Sequence, residues 1–381
     1  MSRNNPKIIL VPDSFKGTMS ALEVCAVMEQ AALALFPQAQ VVSLPVADGG
    51  EGSVECLVKA AGGRCVPAQV QGPYGQPMEA FYGLLPDGTA VVETASCAGL
   101  PLVEGDARPD QTTTFGVGQL LLKAAEAGAR RILLGLGGSC TNDGGCGAAA
   151  ACGVRFFRAD GEAFVPVGGT LKDIASLSAD HLDPRLQGVE IACMCDIDNP
   201  FYGEEGAAFV FAPQKGAGPD TVRLLDQGLR HLAAAIQRCL GRDISALPGA
   251  GAAGGLGGGM AAFLGARLLP GIDAVLDAVR FEEALQGADL ILTGEGRVDG
   301  QTLRGKAVLG VARRARGSGV PVVAVTGDAA QAGEGLYQQG VAALFSINRS
   351  PIAFAQARHH SKENLYQTTE NILRLAKQLW K

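Results

Sequence analysis

The sequence predicts an α/β protein of two α/β domains, a parallel-sheet domain formed by both chain ends with a second α/β domain inserted into it. Three observations carry that expectation. Short apolar runs alternate with helical patterns at each end of the 381-residue chain. Two prolines and two glycines between positions 72 and 77 interrupt the first of these repeats. A hydrophobic content of 47% with only 5% aromatic residues, together with 53 glycines, suits a large core joined by many tight turns. A chain of this length exceeds one average domain. The expected division is 1–72 with 281–381 as the discontinuous parallel domain, and 73–280 as the insert.

In chain order, the first repeat reads as strand 7–11, helix 21–36, strand 41–45 and helix 52–61. Past the interruption come strands 80–85 and 90–94, helix 116–127, and a buried strand 131–136. Strand 189–195, a further strand 207–212 and helix 220–239 follow, then the glycine-rich stretch 248–259 and a short helix 260–266. The last part restores the repeat, with strand 290–293, helix 306–316, strand 322–326, helix 334–339, strand 343–347 and a final helix ending near Trp380. Such units build parallel sheets through right-handed crossovers.

Composition excludes several classes of function. A formal net charge of −6 supplies no basic footprint for nucleic acid, so small molecules are the expected partners. The longest uncharged run, 244–266, contains eight glycines and a proline and reads as a loop and a helix, so no membrane partner is expected. Residues 1–6 are polar and lead straight into a strand, without the features of a signal peptide; the expected compartment is the reducing cytoplasm. Cys140, Cys146 and Cys152 recur every six residues and Cys193 and Cys195 form a close pair, yet no histidine stands near either group. They read as small buried apolar residues, not as a zinc site.

The most informative stretch runs from Gly135 to Gly147. It joins strand 131–136 to the start of a helix at 148–151. Six glycines in thirteen residues allow close backbone approach, and a helix start presents unpaired N–H groups suited to an anion. Ser139, Thr141, Asn142 and Asp143 bring hydroxyls, an amide and a carboxylate that can hold a phosphate, a Mg²⁺-bound water or a sugar-acid hydroxyl. The plainer reading is a tight turn in which Asn142 or Asp143 caps the helix. Carboxylates recur in other glycine-flanked loops, at Asp48, Glu51, Asp196, Asp198, Glu295 and Asp299. Lysines accompany them at Lys16, Lys215 and Lys306. An acidic cleft of this kind suits Mg²⁺ and a phosphorylated substrate, and Lys16 and Lys215, each between a strand end and a glycine, suit a phosphate or carboxylate.

Two other glycine patterns fail in context. The segment 300–307 has the spacing of a P-loop, but Ala307 stands where a hydroxyl should hold Mg²⁺. The segment 249–254 has dinucleotide-fingerprint spacing, but no convincing strand precedes it.

Six separated motifs, in one order, resemble the bacterial type I glycerate kinase family from end to end. They are Asp13-Ser14-Phe15-Lys16-Gly17; Ala47-Asp48-Gly49-Gly50-Glu51-Gly52; Gly137-Gly138-Ser139 with Thr141-Asn142-Asp143-Gly144-Gly145; Asp198-Asn199-Pro200; Pro213-Gln214-Lys215-Gly216-Ala217; and Thr293-Gly294-Glu295-Gly296 with Asp299 and Gln301. Cys140 stands where the family commonly has alanine. The resemblance implies ATP-dependent, Mg²⁺-assisted phosphorylation of D-glycerate, usually at the 2-hydroxyl to give 2-phosphoglycerate, in glyoxylate or sugar-acid catabolism. It also implies two α/β domains with the active site between them, and it admits a homo-oligomer. On that reading Gly137, Gly138, Ser139, Thr141 and Asn142 cradle phosphate, Asp143 holds the metal, and Asp196 or Asp198 binds metal or orients the hydroxyl. Lys16 and Lys215 neutralise the γ-phosphoryl or the acid carboxylate, and Asp48 or Glu295 is the base. Ser14, Glu51, Asn199, Gln214 and Asp299 complete the expected binding set.

Overall fold

Aliphatic runs shielded on both faces become the parallel strands: Ile8, Ile9, Leu10 and Val11 expose nothing, and Ile291 and Leu292 beside them are equally buried. The computed structural model describes residues 5–47, 49–50, 52–298, 307–329, 333–350 and 352–380. The chain opens with β1 (Lys7–Pro12), α1 (Ala21–Leu35), β2 (Gln40–Ser43) and α2 (Ser53–Ala61). It continues through β3 (Arg64–Gln71), β4 (Pro77–Leu84), β5 (Thr89–Glu93), α3 (Ala95–Ala98), α4 (Phe115–Glu126) and β6 (Arg131–Gly135). Next come α5 (Cys146–Ala151), β7 (Arg155–Phe157), β8 (Ala163–Phe164), β9 (Ser176–Ser178) and β10 (Glu190–Met194). Then follow α6 (Ala207–Phe211), α7 (Pro219–Leu240), α8 (Ala252–Leu264), β11 (Arg267–Leu269), α9 (Gly271–Ala278) and α10 (Phe281–Leu285). The last elements are β12 (Leu290–Arg297), α11 (Ala307–Ala315), β13 (Val322–Asp328), α12 (Gly333–Gln338), β14 (Val341–Ser346), α13 (Phe354–Ala357) and α14 (Ser361–Leu379).

The chain divides into two compact units, Met1–Asp48 with Lys59–Ala61 and Ile272–Lys381, and Gly49–Val58 with Gly62–Gly271. The first holds a five-stranded, wholly parallel sheet in the order β14-β13-β12-β1-β2. Its core gathers Leu10, Val24, Met28, Leu292, Val325, Leu365 and Leu373. Helix α1 starts on a capping box, in which Ser20 Oγ accepts from Glu23 N and the Glu23 carboxylate accepts from Ser20 N.

The second unit holds a six-stranded mixed sheet, β11-β10-β6-β5-β4-β3, and a small antiparallel sheet, β8-β7-β9. Strands β5, β6, β10 and β11 run parallel, whereas β3 and β4 are antiparallel additions. The chain therefore enters this unit at about Gly49 and leaves it at Gly271, earlier at both ends than the expected limits of 73 and 280.

Three local expectations change. Strand β3 is absent from the sequence reading because Pro67 interrupts it; as an edge strand of the sheet it tolerates a residue without an N–H. The segment expected as strand 207–212 is helix α6, whose small residues Ala207 and Ala208 are buried. A short apolar run carries no periodicity that separates helix from strand. Glycine-rich 248–259, expected as loop, already contains the start of α8. The glycines serve close packing: a Cβ on Gly259 would stand 2.2 Å from Gly144 O, and one on Gly254 2.0 Å from Thr141 O. Among the described residues no helix is long and apolar enough to cross a membrane.

Candidate active site

The glycine turn after β6 is built inward. Ser139 is 5% exposed, and Thr141, Asn142 and Asp143 expose nothing. Asp143 Oδ2 accepts from Thr114 N at 2.8 Å, Thr114 Oγ1 at 2.8 Å and Gly147 N at 3.2 Å, while Oδ1 accepts from Gly145 N at 3.1 Å. Two of those donors are N–H groups at the start of α5, so the carboxylate itself fills the position where an external anion was expected. Burial raises the Asp143 pKa, opposed by the hydrogen bonds from Thr114 and from the Gly145 and Gly147 amides.

Lys215 supplies the countercharge. It sits on a 3₁₀ turn, Pro213–Lys215, is 2% exposed, and donates from Nζ to Ser139 Oγ at 2.8 Å and to Thr141 O at 2.7 Å. Burial lowers its pKa to about 8, against the opposing pull of Cys140 and Asp143. The Lys215 ammonium therefore braces the turn from within. Three buried atoms beside it, Thr141 Oγ1 and Asn142 Nδ2 and Oδ1, have no protein partner. They are the polar capacity the turn has not spent on itself. Gly138 is exposed and Gly137 half-buried, so solvent reaches the turn through its glycine backbone.

At the end of β10, Asp196 and Asp198 are exposed; Asp196 Oδ1 accepts from Gly271 N at 2.7 Å. Asn199 Nδ2 donates to Glu205 O at 2.8 Å, and Gln214 is exposed. In the first unit, Ser14 is half-buried and its N–H donates to Asp13 Oδ1, Lys16 is exposed, and Glu295 is 5% exposed on β12. Lys16 and Gly296 line one cavity at the carboxyl end of that sheet. Asp48, Glu51, Asp299, Gln301 and Lys306 lie outside the described residues. Of the five cysteines read as buried apolar residues, Cys140, Cys146, Cys152 and Cys193 are buried and Cys195 is half-buried; burial lifts the Cys140 and Cys152 thiols to about 12.

A model of the glycerate kinase family matches residues 8–377. The chain belongs to the glycerate kinase family. A glycerate kinase of Bacillus subtilis (strain 168) is 45% identical over 98% of this chain and 99% of its own. A glycerate 2-kinase of Escherichia coli (strain K12) is 41% identical over 96% of this chain and 97% of its own. A solved structure described as a candidate glycerate kinase 2 from Salmonella typhimurium LT2 superposes with a TM-score of 0.87 at 41% identity, covering 98% of this chain and 100% of that one.

The sequence reading expects Mg²⁺, and the donor set can be tested for it. Among the described residues no group of three His, Cys, Asp or Glu side chains is placed to hold a metal. Asp143, expected as a ligand, has both oxygens committed to four protein donors, which leaves its carboxylate poorly suited to a cation. Asp198 is an exposed carboxylate in the same unit. One carboxylate is compatible with Mg²⁺, which commonly takes one or two from the protein and the rest of its ligands from phosphate and water.

Sequence reasoning missed Glu93. At the end of β5 it is 3% exposed, and its carboxylate accepts from Val54 N at 2.5 Å and Gly52 N at 3.3 Å, holding the start of α2. The same loop is pinned by Gly137 N, which donates to Gly49 O at 3.0 Å. A Cβ on Gly137 would come within 2.6 Å of Gly50 Cα. The available signal was a lone acid ending an apolar strand. Glu93→Ala strands the buried Val54 N–H and removes the acceptor of the half-buried Gly52 N–H, and is expected to cost roughly 1–3 kcal/mol. A urea midpoint that falls at unchanged slope bears this out; an unchanged midpoint contradicts it.

Proposed function

We propose that this chain transfers the γ-phosphoryl group of ATP to the 2-hydroxyl of D-glycerate, releasing ADP and 2-phosphoglycerate, as a cytoplasmic enzyme of glyoxylate or sugar-acid catabolism. The observation that carries the reading furthest is the buried Lys215 braced against Ser139 and Thr141, within a chain that matches the family along residues 8–377. The E. coli relative named for 2-phosphorylation supports the choice of hydroxyl.

Phosphoryl transfer asks mainly for positioning and charge neutralisation. The exposed backbone of Gly138 and the half-buried backbone of Gly137, with Ser139 Oγ, Thr141 Oγ1 and the Asn142 amide, receive phosphate or substrate oxygens. Lys215 fixes this cradle and adds positive charge, and Lys16 neutralises charge on the nucleotide. Asp196 or Asp198 orients the acceptor hydroxyl, and Glu295 or Asp48 takes its proton; a loose transition state makes only a modest demand on that base. Ser14, Glu51, Asn199, Gln214 and Asp299 complete the binding set. Mg²⁺, when bound with ATP, offsets negative charge on the phosphate oxygens. Asp198 is the residue proposed to hold it, and Asp143 is assigned to architecture.

A coupled assay of ADP release tests the reaction. ADP should appear only when ATP, D-glycerate and Mg²⁺ are all present and should stop on chelation. ADP release that glycerate does not increase would contradict the proposed acceptor, and unchanged release in excess EDTA would contradict the proposed metal.

A further inference from the structure

The parallel sheet of the first unit reverses its order between β1 and β12: β2 lies to one side, β13 and β14 to the other. In open sheets of this β2-β1-β12-β13-β14 kind, ligands sit beyond the carboxyl ends of the strands near that reversal. A cavity of about 60 Å³ occurs there, walled by Lys16 after β1, Gly296 on β12, Asp328 on β13, Asn348 after β14, and Phe354 and Arg358. It shares Asn348 and Ala357 with a wider depression of about 310 Å³, to which Arg349 and His360 contribute. Together they approach the size of a site for a nucleotide-sized ligand.

Their chemistry is unusual for a surface without a ligand. Phe354 is 60% exposed although it stands in a pocket wall, and its ring covers Gly17, where an added side chain would meet it at 3.7 Å. Lys16, Arg349 and Arg358 bring positive charge, and no carboxylate pairs with Arg358 among the described residues. Among the described residues Asp328 is the one acid in the inner wall, and it lies 3.5 Å from Arg297 Nε. Asn348 Nδ2 donates to Gly327 O at 2.6 Å, which leaves its Oδ1 as an acceptor for an amine. An aromatic face, an amide and several cations match a base and a polyphosphate; a three-carbon acid would use the charge but not the ring.

We propose that this end of the first unit seats the nucleoside triphosphate, with the base on Phe354 and beside Asn348 and the phosphates toward Lys16 and Gly296. The inference deepens the kinase reading and rests on it for the choice of a nucleotide.

The test is calorimetric titration of the full chain with a non-hydrolysable ATP analogue and Mg²⁺, alongside steady-state kinetics. Phe354→Ala, a change at an exposed ring, should weaken nucleotide binding roughly ten-fold, as loss of one base-stacking ring does. The KM for glycerate should stay put, and Phe354→Trp should restore affinity. Unchanged nucleotide affinity in Phe354→Ala, or a rise in the glycerate KM alone, would overturn the proposal. If the analogue binds, Phe354→Ala weakens it, and glycerate still provokes no ADP release, the nucleotide site stands and the glycerate reading fails.

Discussion

Lys215→Met is expected to lower kcat by about 10²-fold or more, the scale seen when one oriented donor is lost from a reacting site. The substitution removes the hydrogen bonds to Ser139 Oγ and Thr141 O together and leaves the Asp143 carboxylate without its nearby cation. The same lysine predicts a pH signature. Its pKa of about 8 reflects burial, and Cys140 and Asp143 are the titratable groups that oppose the shift. Activity that needs the ammonium should decline above about pH 8, and Lys215→Arg, whose guanidinium stays charged, should remove that alkaline limb while altering the geometry.

Stability should move the opposite way. Below about 8 both folded and unfolded chains hold the proton; from there to the ordinary lysine value of 10.5 only the unfolded chain does. The unfolded state then binds more protons, so this group's contribution to stability rises with pH across that window and is complete above it. The buried thiols, pushed up to about 12, act the opposite way above their ordinary value of 9.0, so urea midpoints that climb relative to those of Lys215→Met over the range where kcat falls would identify Lys215 as the titrating group. A kcat profile flat to pH 10, in a chain that remains folded, would contradict the assignment.

Asp143→Asn is expected to cost about 3 kcal/mol of stability or more. Asparagine keeps one acceptor and turns a donor toward the ring of N–H and O–H groups from Thr114, Gly145 and Gly147. The two substitutions touch one network, so Lys215→Met and Asp143→Asn combined should cost less than their separate effects added. A metal-ligand role predicts something different: near-normal stability, with lost kcat recovered by raising Mg²⁺. Denaturation and Mg²⁺ titration of the same variant separate the two roles.

The parallel unit was readable because its strands are buried on both faces and read as unbroken aliphatic runs, as in Ile8 to Val11 or Val322 to Val325. Strand β3 hid behind Pro67, and α6 was too short for a helical period to show. The glycine turn was found, but the direction of its side chains was not. An aspartate among glycines reads alike whether it faces solvent or caps a helix, and only the burial of Asp143 among four donors distinguishes them. Lys215 shows the same limit, since a lysine beside a glycine carries no mark of being 2% exposed. Glu93 was passed over because its partners, Gly52 and Val54, lie about forty residues away in sequence and meet it only through folding.

The central claim, transfer to the 2-hydroxyl of glycerate, is tested most directly by phosphorus NMR of the product formed from Mg-ATP and D-glycerate. A new resonance matching authentic 2-phosphoglycerate, growing in step with ADP, is the expected result. A resonance matching 3-phosphoglycerate would contradict the regiochemistry, and ADP accompanied only by inorganic phosphate would contradict the transfer itself.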